Sequence, residues 1–170
     1  MKVINKPTHF TFKRGVLVLL SVGAWSATGV STRPAMAHKG DCTYCGLPIV
    51  QNTASQDNEV ILKHGAKRVE YRCVYCALAE AKSAFKNDLS IVAPSEKKGK
   101  PVLIKRVRGK WSASPANPIF IAAKVSHRHC QTGYRAFTSR AAFNAHVKKH
   151  KSIVKDAKPL TLSQMVALAN

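Results

Sequence analysis

Four of the five cysteines fall in two pairs of the same form, Cys42-Thr43-Tyr44-Cys45 and Cys73-Val74-Tyr75-Cys76, separated by 27 residues. Two thiolates three positions apart can grip one soft metal ion, and two such pairs supply four ligands. The second pair falls on the first turn of an expected helix, where the macrodipole favours the thiolate form. The same cysteines also read as disulfide staples of an exported domain, or as a redox pair at Cys73 and Cys76. Spacing alone does not separate thiolate from disulfide, although no thioredoxin-like pattern surrounds either pair. An odd number of cysteines leaves at least one thiol free or acting as a ligand.

The fifth cysteine closes a second cluster, His127-Arg128-His129-Cys130. Two imidazoles and a thiol within four residues suit copper or zinc, and on a strand His127 and His129 would share one face. The competing reading is a run of solvated polar residues at a strand end. A third pattern, Phe137-x5-Phe143-x2-His146-x3-His150, reproduces the carboxyl half of a C2H2 zinc finger. Its cysteine half is missing, because Gly133 stands where a finger needs a cysteine and only Cys130 lies nearby. His146 and His150 therefore read as surface histidines.

The elements that must position these groups belong to an α+β mixture. Glu59–Leu62 and Arg68–Arg72 flank His64-Gly65-Ala66 as a β-hairpin. Cys73-Val-Tyr-Cys76 opens an alanine-rich helix that runs to about Lys86. Strands are expected at Leu89–Ala93, Val102–Val107 and Ile119–Val125, with a break at the proline-rich stretch 114–118. Ser139 caps a helix over 140–149, and a strand at Ile153-Val154 and a short helix over 162–169 finish the chain. The result is a small two-lobed domain in which hairpins and strands each pack with a helix, in two similar halves of about 42–98 and 99–168.

Residues 1–37 read as a cleavable secretory signal: Lys13 and Arg14, an apolar run from Val16 to Val22, then Ala35-Met36-Ala37. The run is shorter than the roughly 20 residues that span a bilayer, so no stable span is expected once the signal is cleaved. Cleavage leaves a domain of 133 residues (38–170) and lowers the formal charge from +20 to +15. A basic exported protein is placed in the periplasm or outside the cell, with no nucleic-acid partner; its basic residues, spread in short clusters such as Lys105-Arg106, read as a solvated face, with contact to anionic surfaces as the alternative. Cleavage would also make His38 the first residue, whose imidazole and α-amine form an additional metal ligand. The chain carries no phosphate loop, serine–histidine–aspartate spacing or paired carboxylates, and its eight acidic residues leave few general acids or bases. It is not expected to be an enzyme.

The order Cys42-x-x-Cys45-Gly46-Leu47-Pro48, a hairpin, a cysteine at a helix start and Gly109-Lys110-Trp111 resembles the NosL family. So does the stretch from Gly133-Tyr134-Arg135-Ala136-Phe137 through Ser139 to Phe143, followed by Pro159-Leu160-Thr161-Leu162. NosL proteins are exported copper-binding proteins associated with maturation of the copper centres of nitrous oxide reductase. The resemblance implies a two-lobed α+β fold that binds Cu(I) through sulfur and imidazole. Cys42 and Cys45 match the family's amino-terminal cysteine motif. His127, His129 and Cys130 fall where the family carries a methionine-containing segment. This chain has Leu47 where the family has methionine, lacks the family's lipobox, and keeps only Met165 after cleavage. Copper would be held by thiolate and imidazole, a ligand set that zinc also accepts.

These observations lead to an exported metal-binding protein that carries Cu(I) to a periplasmic partner, such as a copper enzyme. The ligands would be Cys42, Cys45, Cys73 and Cys76, with His127, His129 and Cys130 as a second group. A disulfide- or zinc-stabilised basic binding module is the alternative, and a thiol–disulfide oxidoreductase a third reading.

Overall fold

The β-hairpin around Gly65 forms as expected. Strands β3 (Val60–His64) and β4 (Lys67–Tyr71) pair antiparallel, and Gly65 takes the left-handed φ of +57° that the turn needs. This computed structural model describes residues 40–50, 58–124, 132–152, 154 and 156–169. A short pair, β1 (Gly40–Asp41) and β2 (Pro48–Ile49), precedes the hairpin. Then come α1 (Val74–Ser83), β5 (Leu89–Ala93), β6 (Val102–Val107) and β7 (Lys110–Ser114). The chain continues with β8 (Ile119–Lys124), β9 (Thr132–Phe137), α2 (Arg140–Lys149), β10 (Lys158–Leu160) and α3 (Leu162–Leu168).

The central sheet is antiparallel, in the order β4-β3-β5-β6-β7. Alternation along β5 and β6 sends Leu89, Ile91, Ala93, Val102 and Ile104 to one buried face. Helix α1 covers that face with Cys76, Ala77, Leu78 and Ala81, and α3 adds Met165. Alanine lets the helix approach closely, and the larger branched residues of the strands fill the space between. Arg106 shares the buried face, opposite Leu89. Its guanidinium donates to the carbonyls of Ala81 at 2.7 Å, Asn87 at 2.8 Å and Phe85, and lies 5.4 Å over the Trp111 ring. The sequence placed this arginine in a short solvated cluster, but it is buried and takes up carbonyls left open where α1 ends.

A second sheet has the order β10-β8-β9. Phe120 and Ala136 face the main core, whereas Ile119, Ile121 and Phe137 face the other way and meet Phe143 of α2 in a smaller core. Ser139 caps α2, its hydroxyl accepting from the Ala142 amide at 3.2 Å. Thr161 and Gln164 form a capping box on α3.

Several details differ from the sequence reading, among them the end of α1 at Ser83 rather than near Lys86 and the added strands β1, β2 and β7. Strand β9 was not anticipated, because Thr132–Phe137 lacks a clean apolar alternation and gains its place by pairing with β8. The strand expected at Ile153-Val154 is found at Lys158–Leu160, where it pairs with Phe120–Ala122, while Val154 lies outside any strand. The sheets change over between Ser114 and Ile119, since β6 and β7 continue the first sheet. Among the described residues no helix is long and apolar enough to cross a membrane.

Candidate metal centre

The first cysteine pair sits on the turn that joins β1 to β2. The Cys42 amide donates to the Leu47 carbonyl at 2.8 Å, and the Gly46 amide donates back to the Cys42 carbonyl at 2.7 Å. Gly46 closes the turn at φ +69°, a conformation that costs glycine little. Asn58 fixes the end of β2: its side-chain oxygen accepts from the Val50 amide at 2.8 Å, and its amide donates to Val50 at 3.0 Å. The second pair spans the start of α1, with Cys73 as the residue that precedes the first turn and Cys76 inside it. Arg72 ties the two together, because its guanidinium donates to the Pro48 carbonyl of β2 at 2.7 Å.

The turn and the helix start bring sulfur to sulfur. The Sγ atoms of Cys42, Cys45 and Cys76 lie within 4.8 Å of one another, and Cys73 Sγ lies 3.4 Å from Cys76 Sγ. All four are free thiols. Cys42 and Cys76 are buried, and Cys45 and Cys73 are half-buried. The cluster therefore has a closed side and an approachable one. A group of this size and chemistry could hold a metal ion.

The protons of the cluster are unevenly distributed. A hydrogen bond from the Cys76 thiol brings the Cys42 thiol down to about 5; burial opposes this, and the amides of Arg72, Cys45 and Tyr44 assist it. Cys73 is also lowered, first by the Cys76 thiol and then, against burial, by the amides of Cys76 and Tyr75 in the first turn. Cys76 is raised, because its proton serves Cys42 and Cys73 and because the site is dry. Burial pushes Cys45 up to about 12. In the metal-free centre Cys42 thus favours the thiolate, Cys73 is shifted in the same direction, and Cys76 keeps its proton.

Each cysteine motif also carries an aromatic ring, and these rings meet one another. Tyr75, between the cysteines of the second pair, stacks on Tyr134 of β9 at 5.3 Å and meets Tyr44, between the cysteines of the first pair, edge-on at 6.1 Å. Tyr71 is fully buried, and burial, with the Glu80 charge adding to it, raises its phenol to about 12. Sequence reasoning passed over these tyrosines. The signal available was the tyrosine repeated at the third position of both cysteine motifs.

Of the expected ligands, Cys42, Cys45 and Cys76 form one close triplet and Cys73 touches it. His38, His127, His129 and Cys130 lie outside the described residues. His146 in the last turn of α2 and His150, which closes that helix, are not part of the sulfur cluster. His146 is more than a surface group, since it is half-buried with its ring 5.0 Å from Phe137.

No family model matches the chain, and no curated protein does. Among solved structures it is similar to the mercury-bound form of MerB2, with a TM-score of 0.53 and 16% identity. The match covers 65% of this chain and 55% of that one, so this chain spans about half the length of the structure it resembles. At that identity the likeness is one of fold, and it places the α+β arrangement described above among known architectures.

Proposed function

We propose that this is an exported protein that binds Cu(I) at the Cys42–Cys45–Cys76 centre and passes it to a periplasmic partner. The observation that carries the reading is the convergence of three free sulfurs within 4.8 Å, with a fourth in contact. Soft thiolate sulfur selects Cu(I) over harder ions, and the one thioether left once residues 1–37 are removed, Met165, is buried in the main core. Mercury, the ion in the MerB2 structure, is soft as well, and a sulfur centre on a related fold is consistent with that chemistry. Cys73 gives the ion a route out: a ligand that touches one member of the triplet from a half-buried position can take part in stepwise exchange with an incoming thiolate. The protein acts as a carrier rather than a catalyst, and its high positive charge assists encounter with an acidic partner surface.

Anaerobic competition against a Cu(I) chelator tests the binding step. One tightly held Cu(I) per chain is expected, together with loss of free-thiol reactivity at Cys42, Cys45 and Cys76. Failure to compete for Cu(I), or tighter retention of Zn(II) when both ions are offered, would remove copper from the proposal. Sequencing the amino terminus of protein recovered from the periplasm tests export, with His38 expected as the first residue.

A further inference from the structure

We infer that His146 and His150 form a second metal site, separate from the sulfur cluster, that takes a borderline divalent ion such as Ni(II) or Zn(II) through two imidazole nitrogens. The two residues stand four apart, His146 in the last turn of α2 and His150 as the residue that closes it, its amide donating to the His146 carbonyl at 2.9 Å. Their ring centres are 4.6 Å apart and their planes are tilted by 38°. An ion about 2.0–2.1 Å from each imidazole nitrogen needs those nitrogens about 3 Å apart. With ring centres this close, rotation of the His150 side chain is the movement that closes the separation.

One of the two ligands is already held. His146 packs on Phe137, which is fully buried and meets Phe143 edge-on at 5.8 Å in the smaller core. A ligand fixed by packing loses less freedom when an ion arrives. Among the described residues no carboxylate or thiol joins the pair to make a three-ligand set. Water completes the coordination, as borderline ions accept and soft ions do not favour. Arg135 and Lys149 lie close enough to His146 to act on its charge, so a cation binds here against their repulsion. That repulsion is screened by salt, and affinity at this site therefore rises with ionic strength. The finger-like motif of the sequence is thus put to another use: its phenylalanines build the small core and its histidines hold an ion without the cysteine half.

Nickel titration of the reduced protein, followed through assigned histidine ring resonances, tests the site whether or not the cysteines also take up ions. The resonances of His146 and His150 should broaden together, and well before that of His64. His150→Gln and His146→Gln should each weaken this response at least tenfold, and Lys149→Gln should strengthen it. Lys149 is exposed, so its substitution probes the site while leaving the core intact. An unchanged response in His150→Gln, no strengthening in Lys149→Gln, or broadening confined to the cysteine-bearing segments would overturn the inference.

Discussion

Cys76 is the residue on which the sulfur centre turns. It lies in the close triplet, it touches Cys73 at 3.4 Å, and its proton supports the thiolates on either side. Cys76→Ser replaces a soft ligand by a hard hydroxyl and should cost Cu(I) affinity more than the roughly 10–100-fold typical of a supporting group. Cys73→Ser should fall within that range while slowing transfer to an acceptor, and chelator competition with stopped-flow transfer separates the two effects. Cys42 is ionised above about 5, whereas Cys45 and Cys76 keep their protons at neutral pH. An ion bound by all three must displace those protons, so affinity strengthens as pH rises, with about two protons released per ion between pH 6 and 8. Calorimetry in buffers of different ionisation enthalpy reads that number. Gly46→Ala forces a side chain into the left-handed region at φ +69° and should cost about 1 kcal/mol in chemical denaturation, with weaker metal binding because the turn carries both Cys42 and Cys45.

Elements position these residues through a few long-range ties. Helix α1 carries half of the sulfur centre at its start and is clamped at its end by Arg106, buried against Ala81, Phe85 and Asn87. Arg106→Ala leaves three carbonyls without their partner and should destabilise the protein by about 2–4 kcal/mol, read from urea unfolding. Arg106→Lys should recover only part of this, because an ammonium cannot span the same carbonyls with a planar fork. Most of these elements were visible in the sequence. The limits of β5, β6 and α2 agree with the expected ones, since period-two alternation and a serine cap are local signals. Strand β9 was not visible, because its pairing with β8 is a property of the partner strand rather than of its own residues. The clamp was equally hidden: an arginine within Lys105-Arg106 reads as solvated until the sheet places it opposite Leu89 beneath a helix.

At the scale of the whole molecule, the two sheets are joined by a carboxylate as well as by the core. Glu96, between β5 and β6, accepts from the Thr138 amide at 2.9 Å and from the Thr138 hydroxyl, next to the cap of α2. Burial works against its ionisation, but the bonds from Thr138 prevail and hold the carboxyl below its ordinary value of 4.5. A folded-state value below the unfolded one means that this tie stabilises above about 4.5 and is lost as the pH falls through the lower folded value. Glu96→Gln should therefore lower stability at neutral pH and flatten its decline below pH 4.5, as followed by thermal melting at falling pH. The sequence by itself determined the candidate ligand types, the two cysteine motifs of like spacing, the mixed class and most of the helices and strands, because these depend on residue chemistry and short-range periodicity. Only the tertiary structure decided which cysteines meet. Twenty-seven residues separate the pairs, and nothing local fixes the distance between a turn and a helix start until the hairpin folds back and Arg72 fastens it to Pro48. The centre is then a close triplet with a fourth sulfur at its edge, an inequality that four cysteines spaced alike could not reveal.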